Sequence, residues 1–250
     1  MLVVDAGNTR IKAAIFEGDA LLEQFVLDSS EVFEGLGGIL RSNPGITDLV
    51  VASVGNAAVD SLVNLSESVT VHLVDHKTIF PFENKYQTPT TLGVDRMVLA
   101  TGAVLQYPKQ NRLVIDAGTC VTYDFIDDAD CYLGGAISPG IRLRYEALHR
   151  YTARLPLLSL DQEMLNGAVR TTLIGDSTAG SIHSGVINGI VNEIDGFIAQ
   201  YEVLYSNFII ILTGGDAEVL AKRLKNTIFA NSNFLLESLN QTYLYKIKND

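Results

Sequence analysis

Two stretches of the chain carry the same pattern: Leu2–Thr9 reads LVVDAGNT, and Leu113–Thr119 reads LVIDAGT. In each, an apolar run typical of a buried strand ends at Asp-Ala-Gly, where glycine permits a tight turn. A second strand pattern follows each turn, and at the same offset Ile15 of the first copy corresponds to Ile126 of the second. An internal repeat of this kind predicts two similar α/β domains, each opening on a three-stranded meander, that face each other across a cleft.

The segments around the repeat predict how each domain continues. Apolar and amphipathic patterns in the first domain predict strands at 10–17, 21–27, 48–54 and 69–74, and helices at 31–41 and 57–66. Residues 77–92 are expected to form an irregular loop that leads into a helix at 94–106. The second domain is expected to hold strands at 121–126, 131–137 and 208–212, and helices at 141–151, 179–204 and 217–224. The domains are predicted to span residues 1–110 and 111–250, and no arrangement is predicted for the tail beyond residue 224.

Composition limits the function classes that fit. Of the 250 residues, 47% are apolar and 19% are charged, which is enough apolar sequence for a packed core. The formal net charge of −11 repels nucleic-acid backbones and anionic lipid, so neither is an expected partner. Cys120 and Cys131 have apolar neighbours and fit small core positions in a reducing compartment. No stretch is long enough to span a bilayer, and a cytoplasmic location is predicted.

The Asp-Ala-Gly turns have the chemistry of phosphate-binding loops. Gly7 and its counterpart let backbone N–H groups approach a phosphate closely. Further hydrogen-bond donors follow in both copies: Asn8, Thr9 and Thr119. The carboxylates Asp5 and Asp116 repel phosphate but can bind a cation that bridges to it. The same residues also fit an ordinary hairpin turn with an Asx hydrogen bond, although the in-register repeat favours phosphate binding.

Two further segments are candidates for nucleotide contacts. Lys12 lies shortly after the first loop and can reach a terminal phosphate, or can be a solvated strand lysine. Alternation along its strand places Arg10 and Lys12 on one face. Gly214 and Gly215 lie between an apolar strand and a helix start, a place suited to nucleotide binding and equally to a plain turn.

The segment Gly93–Arg96 begins a predicted helix directly after the irregular loop. Its carboxylate, Asp95, is a candidate general base for a substrate hydroxyl. The neighbouring Arg96 can bind an anionic group through two parallel hydrogen bonds. An acidic residue in a first helical turn is also explained by the helix dipole alone, with the arginine paired locally.

Taken together, these motifs resemble the type III pantothenate kinases of the acetate kinase, sugar kinase, Hsp70 and actin superfamily. The resemblance runs over most of the chain, and any single motif would be weak. It rests on DAGNT at 5–9, Tyr86 and Pro89 ahead of GVDR at 93–96, DAGTCVT at 116–122, GGAISPG at 134–140, Ser177-Thr178 with Ser184-Gly185, and TGGD at 213–216.

The resemblance implies a fold, a reaction and a set of partners. The fold would be two ribonuclease H-like domains of the actin-like ATPase type, with a nucleotide cleft between them. The reaction would be transfer of the ATP γ-phosphoryl group to the primary hydroxyl of pantothenate, the first step of coenzyme A biosynthesis. The family's use of Mg²⁺ and of a monovalent cation, K⁺ or NH₄⁺, is implied as well, and so is a homodimer.

The resemblance also implies roles for individual residues. Asp95 matches the proton acceptor, and Asp116 matches the ligand of the monovalent cation. The matches to pantothenate contacts are Tyr86, Gly93, Val94, Arg96 and Thr178. The matches to ATP contacts are Asp5, Ala6, Gly7, Asn8, Thr9, Arg10, Ile11, Lys12, Thr119, Gly214 and Gly215. Asp5 is in addition a candidate ligand of Mg²⁺.

The sequence departs from the family pattern at two positions, and two alternative functions fit the same motifs. Cys120 stands where alanine is common in the family, and Ser177 where asparagine often precedes the threonine; neither change removes a predicted functional group. A kinase for another small hydroxylated substrate would use the same phosphate loops. A nucleotide-dependent regulatory or binding module of the same fold would also use them, but would not need Asp95.

Overall fold

The computed structural model describes residues 1–6, 11–28, 32–53, 69–160 and 172–249. The chain divides into two compact units. The first unit comprises residues 1–108, 130–132 and 233–250, and the second comprises residues 109–129 and 133–232. The change at 108 and 109 falls close to the predicted boundary, whereas the C-terminal residues group with the first unit instead of the second.

The first unit is built on a five-stranded sheet. Its strands are β1 (Leu2–Ala6), β2 (Ile11–Glu17), β3 (Ala20–Leu27), β4 (Asp48–Ser53) and β5 (Thr70–Val74). They lie in the order β3-β2-β1-β4-β5. The meander β1-β2-β3 is antiparallel, while β4 pairs in parallel with both β1 and β5.

In the described part of this unit, three helices cover the two faces of the sheet. The α1 helix (Val32–Ser42) packs Leu36 against one face, where Leu2 and Val4 also lie. Helices α2 (Val94–Gln106) and α6 (Phe234–Asn249) pack on the opposite face, in the cluster that contains Val3 and Ala14. Because β-strand side chains alternate, the odd positions of β1 and the even positions of β2 face α2 and α6.

The second unit repeats the strand order of the first. Strands β7 (Asn111–Ala117), β8 (Cys120–Ile126), β9 (Cys131–Pro139), β10 (Phe208–Thr213) and β11 (Phe229–Ala230) lie in the order β9-β8-β7-β10-β11. Here too the first two strands are antiparallel, and β10 is parallel to β7 and β11. The short strand β6 (Glu83–Asn84) pairs with the first two residues of β9, which belong to the first unit.

Helices of the second unit pack on one core. They are α3 (Ile141–Arg150), α4 (Thr178–Leu204) and α5 (Ala217–Ala221). The long α4 helix buries Ile187, Ile190 and Ile194 against the odd positions of β7 and β8. Ser177 caps this helix by accepting a hydrogen bond from the Gly180 N–H at 3.0 Å.

Most of the predicted strands and helices agree with the structure, and a few fall on residues outside the described ranges. The three-strand repeat is confirmed, because both copies produce the same strand order, with an antiparallel pair of the first two strands and a parallel fourth strand beside the first. The helix predicted at 217–224 ends at Ala221, and the unpredicted tail supplies β11 and α6. The helix predicted at 57–66 and the first residue of the helix predicted at 31–41 fall outside the described residues.

A glycine in β9 controls how closely two strands of the second unit approach. A Cβ added at Gly135 would lie 1.4 Å from the Tyr123 backbone oxygen, and rotation of a side chain cannot relieve that contact. We expect Gly135→Ala to lower the free energy of unfolding by about 3 kcal/mol, at the upper end of overpacking costs. Urea denaturation measures this, with Gly185→Ala as the control, because a Cβ on that exposed α4 residue meets nothing within 4 Å. Equal midpoints for the two variants would contradict the expected clash.

A polar cluster links α6 to the start of β4. Asp48 Oδ1 lies 2.8 Å from His72 Nε2 and accepts a hydrogen bond from Tyr243 Oη at 3.0 Å. The Thr47 hydroxyl donates to Asp48 Oδ2 at 2.7 Å, and this bond, together with those from His72 and Tyr243, outweighs partial burial and lowers the pKa of Asp48 below 3.8. Asp48 therefore stabilises the fold above pH 3.8 and loses that contribution as the pH falls through its folded-state pKa.

Removing the tyrosine hydroxyl tests this cluster. We expect Tyr243→Phe to lose about 1–2 kcal/mol of stability at pH 7, because a hydrogen bond to a carboxylate is lost. The difference from the parent protein should shrink as the pH falls below 3.8, where Asp48 becomes protonated. Unfolding curves at several pH values measure it, with Tyr151→Phe as the control, because Tyr151 is 83% exposed. A stability difference that stays constant down to pH 2 would show that Asp48 is not the acceptor that matters.

Candidate functional site

The structure brings three predicted site residues of the first unit onto one face of its sheet. Asp5 at the end of β1 is paired in register with Lys12 of β2. Both occupy the strand positions that face α2, the helix that carries Asp95 in its first turn. Two carboxylates and one lysine are therefore gathered around the C-terminal end of β1. The prediction that Lys12 shares a face with Arg10 lies outside the described residues, which resume at residue 11.

The electrostatics of Asp5 reflect these neighbours. The pKa of Asp5 is raised to about 7, mainly by burial and also by the negative charge of Asp95, while the positive charge of Lys12 opposes the rise. Asp5 and Asp95 are thus close enough for their charges to interact. Among the described residues, two carboxylates and one lysine leave this place with a net negative charge, which favours an additional cation over a bare anion.

Asp95 is held in a defined orientation at the start of α2. Its Oδ1 atom accepts a hydrogen bond from the Arg96 backbone N–H at 2.8 Å. The same oxygen lies over Gly93, where an added Cβ would be 2.3 Å from it. Gly93 has ordinary dihedral angles (φ −57°, ψ 136°), so its role is to leave room for the carboxylate and not to adopt an unusual backbone. The family resemblance predicted Gly93 as a substrate contact. The need to leave room for the Asp95 carboxylate could not be seen from the sequence.

Arg96 and Tyr86 form a second part of the site. The Arg96 side chain is only 6% exposed, and its Cζ lies 5.7 Å from the centre of the Tyr86 ring, within the range of a cation–π contact. Tyr86 is positioned by its backbone N–H, which donates to Asn84 Oδ1 at 2.9 Å. The ring of Tyr132 lies 6.2 Å from that of Tyr86. A buried guanidinium beside aromatic rings is suited to binding a carboxylate.

A cavity of about 410 Å³ lies in the same loop region of the first unit. It is lined by His76, Thr78, Phe80, Phe82, Asn84, Pro89, Thr90 and Met97. The sequence predicted an irregular loop at 77–92, with Tyr86 as its one proposed site residue. The aromatic residues Phe80 and Phe82, whose ring centres lie 5.5 Å apart, were the signal that could have indicated a binding wall.

The second unit carries the other predicted loop. Gly214 has a φ of 97°, and a Cβ there would lie 2.4 Å from the Ala117 oxygen and 2.5 Å from Asp116 Oδ1. The Asp216 N–H donates to the Ala117 oxygen at 3.0 Å, so the two segments after β7 and β10 are held together. Burial raises the pKa of Asp216 to about 6. Thr119 lies in the segment after β7, two residues beyond Ala117. The structure thus brings Asp116, Thr119 and Gly214 close together.

The remaining predicted site residues are either outside the described ranges, packed in the core or exposed. Gly7, Asn8, Thr9 and Arg10 lie outside the described residues. Ala6 ends β1, and the Ile11 side chain is buried in the core on the face opposite Lys12. Val94 packs against the α2 and α6 core, Thr178 is exposed at the start of α4, and Gly215 is exposed. The first three residues of the GVDR motif thus differ in role: one makes room, one packs and one presents a carboxylate.

Comparisons with known proteins identify the family of the chain. The type III pantothenate kinase family matches residues 1–200. A Flavobacterium johnsoniae protein named type III pantothenate kinase is 66% identical, and the match covers 100% of both chains.

Two solved structures share the fold. One, from Campylobacter jejuni and titled a conserved putative Baf family transcriptional activator, has a TM-score of 0.65 at 19% identity and covers 99% of this chain and 100% of that one. The other, a putative N-acetylmannosamine kinase from Listeria monocytogenes, has a TM-score of 0.54 at 12% identity and covers 98% of this chain and 99% of that one. Both likenesses confirm the predicted α/β fold of the sugar kinase and actin-like class. The family match and the full-length relative confirm the predicted family and its kinase class: the chain belongs to the type III pantothenate kinase family.

Proposed function

We propose that this protein transfers the γ-phosphoryl group of ATP to the primary hydroxyl of pantothenate. The observation that carries the proposal is the orientation of Asp95: its carboxylate is fixed over Gly93 by the Arg96 N–H, and its charge reaches Asp5, which also interacts with Lys12. Phosphoryl transfer depends mainly on positioning and charge neutralisation, and this arrangement supplies both together with a base.

Asp95 is the proposed general base. As the substrate hydroxyl oxygen forms its bond to the γ-phosphorus, the hydroxyl proton passes to the Asp95 carboxylate and the bond between the γ-phosphorus and the bridging oxygen of ADP breaks. The Arg96 guanidinium, beside the Tyr86 ring, is the proposed partner of the pantothenate carboxylate. Thr178 and the Gly93 and Val94 backbone remain proposed substrate contacts.

ATP contacts are proposed for residues of both units. Residues 5–12, of which Asp5, Ala6, Ile11 and Lys12 are described, form the first proposed phosphate loop. Lys12 would act as a point charge on a terminal phosphate, and Ile11 would contribute only its backbone, because its side chain is buried on the other face. Thr119, Gly214 and Gly215 are the proposed contacts from the second unit.

The donor set around Asp116 fits a monovalent cation. Thr213, whose Cα is paired in register with that of Asp116, has a buried hydroxyl oxygen without a hydrogen-bond partner. Among the described residues, no three His, Cys, Asp or Glu side chains gather as a metal cluster, so a weakly held K⁺ or NH₄⁺ fits better than a tightly bound transition metal. Asp116 would hold this cation, which supplies positive charge for the phosphates. Asp5 is the proposed residue for Mg²⁺ that arrives with ATP.

Two properties of the protein in the cell stay predictions. A homodimer and a cytoplasmic location are proposed from the family resemblance and the reducing-compartment cysteines. Within the described residues, none of the helices combines the length and apolar character needed to cross a membrane.

The proposed reaction is tested by incubating the purified protein with pantothenate and Mg-ATP, in K⁺, NH₄⁺ or Na⁺ buffer. We expect phosphopantothenate and ADP in equal amounts, with turnover higher in K⁺ or NH₄⁺ than in Na⁺. ADP formation without phosphopantothenate would indicate another acceptor. Binding of ATP without any phosphoryl transfer would overturn the kinase proposal and favour a nucleotide-dependent binding module.

A further inference from the structure

The α4 helix carries a carboxylate that the proposed reaction does not use. Glu193 Oε1 accepts hydrogen bonds from Tyr123 Oη at 3.1 Å and from Ser138 Oγ at 2.5 Å. Its Oε2 accepts a hydrogen bond from an Arg144 guanidinium nitrogen at 2.7 Å. The three donors come from β8, the end of β9 and α3. One side chain therefore joins four elements of the second unit.

Arg144 extends this network to the backbone. Its Nε–H donates to the Pro139 oxygen at 2.8 Å while the other end of the guanidinium binds Glu193. Both residues before Gly140 are thus fixed, Ser138 directly and Pro139 through Arg144. The side chains of Arg144 and Glu193 are 19% and 27% exposed, so this ion pair is shielded from solvent more than a surface pair would be.

Gly140 connects the network to the loop that carries Thr119. The Gly140 N–H donates to the Thr119 oxygen at 3.0 Å. A Cβ on Gly140 would lie 2.2 Å from the Gly118 oxygen and 2.6 Å from the Thr119 oxygen, so the two backbones are in direct contact. Any displacement of residues 138–140 must therefore displace Gly118 and Thr119 as well.

The charge state of Glu193 is consistent with a permanent anchor. Burial on its own would raise the pKa of Glu193, but the hydrogen bonds from Arg144, Ser138 and Tyr123 and the charge of Arg144 outweigh burial and lower it. The carboxylate stays ionised at neutral pH, and charge-assisted hydrogen bonds to it are shorter and stronger than neutral ones.

We propose that Glu193 is a positioning residue for ATP binding: it holds the Ser138–Gly140 turn against the Gly118–Thr119 loop and so fixes that loop for a phosphate. The inference rests on the proposed role of Thr119 in contacting ATP. Glu193 acts through this loop and is not itself a proposed contact of either substrate. Hydrogen-bond donors that are already in position lower the entropic cost of ordering a loop when the ligand binds. Loss of the Glu193 carboxylate should therefore weaken ATP binding without affecting the pantothenate contacts.

Glu193→Gln keeps the size of the side chain and removes the charge that binds Arg144. We expect the dissociation constant for Mg-ATP, measured by calorimetry without pantothenate, to rise about tenfold or more, as loss of positioning does elsewhere. KM for ATP should rise in parallel, and KM for pantothenate should not change. Amide exchange at Gly140 should become faster, because its hydrogen bond to Thr119 is no longer held in place.

Two further variants separate positioning from general stability. Ser138→Ala removes only the hydrogen bond between Ser138 and Glu193, and should raise the dissociation constant for Mg-ATP by a smaller factor. This variant keeps the test valid if Glu193→Gln folds poorly. Glu146→Gln is the matched control, because Glu146 pairs with Arg142 on the exposed surface of α3 at 3.1 Å. It should leave ATP binding unchanged.

The outcomes are distinct for this inference and for the proposed reaction. If Glu193→Gln and Ser138→Ala bind Mg-ATP as tightly as the parent, the positioning role is overturned, whatever the reaction. A rise in both KM values together with a lower melting temperature would also overturn it in favour of a purely structural role. If the parent binds ATP but makes no phosphopantothenate, the proposed reaction fails, and the ATP-binding comparison still decides the role of Glu193.

Discussion

Asp95→Asn is expected to lower kcat for pantothenate phosphorylation by about 10²–10⁴-fold, the range seen when a general base is removed. Asparagine keeps the size of the side chain and an oxygen that can accept the Arg96 N–H, so the start of α2 should be preserved. What is lost is the ability to take a proton from the substrate hydroxyl. KM for pantothenate should change little, because the proposed carboxylate contact belongs to Arg96. Steady-state kinetics with both substrates varied measures the split between kcat and KM.

The control for this variant is Asp19→Asn, which removes one negative charge from the same unit at an exposed turn between β2 and β3. It should have parental kinetics. Mg-ATP binding should persist in Asp95→Asn, because the residue is proposed to act on the acceptor. Turnover within a few-fold of the parent would rule out Asp95 as the base and would leave the helix-dipole explanation of its position.

The three-strand meander that opens each unit was accessible from the sequence because it is encoded locally and twice. An apolar run that ends in Asp-Ala-Gly fixes a strand and its turn, and the second copy in register with the first predicts that both units share one topology. The structure has the order β3-β2-β1-β4-β5 in one unit and β9-β8-β7-β10-β11 in the other. Alternation along β2 predicted that Lys12 shares a face with Arg10, and this stays a prediction because Arg10 lies outside the described residues.

Features that depend on long-range packing were not accessible. Nothing in the tail after Leu224 indicates that α6 packs against β1 and β4 of the first unit, because its contacts lie far away in sequence. The partners of Glu193 come from three separate segments, and a glutamate inside an amphipathic helix has the same sequence pattern whether it is solvated or buried. Gly93 was identified only by its motif, since the reason for a glycine there is the position of a side-chain oxygen two residues later.

Gly93→Ala is expected to lower turnover while leaving the stability of the fold nearly unchanged. The backbone at residue 93 suits alanine, so the cost to stability should be about 1 kcal/mol or less, as for an N-cap glycine replaced by alanine. The new Cβ would lie 2.3 Å from Asp95 Oδ1, and the carboxylate must rotate away to relieve the contact. A displacement of about 1 Å at a reacting group can cost about 100-fold in rate, so kcat should fall by about 10–100-fold while the melting temperature hardly changes.

The matched control is Gly45→Ala, because a Cβ on that exposed glycine of the same unit meets nothing within 4 Å. It should keep parental kcat and KM. Combining Gly93→Ala with Asp95→Asn provides the sharper test: if the glycine acts only by making room for the carboxylate, the double variant should be no slower than Asp95→Asn alone. Additive losses in the double variant would show that the added Cβ also acts independently of the carboxylate, as expected if Gly93 contacts the substrate in the way that the family resemblance implies. Parental turnover in Gly93→Ala itself would mean that the orientation of Asp95 over Gly93 is not the one used in the reaction.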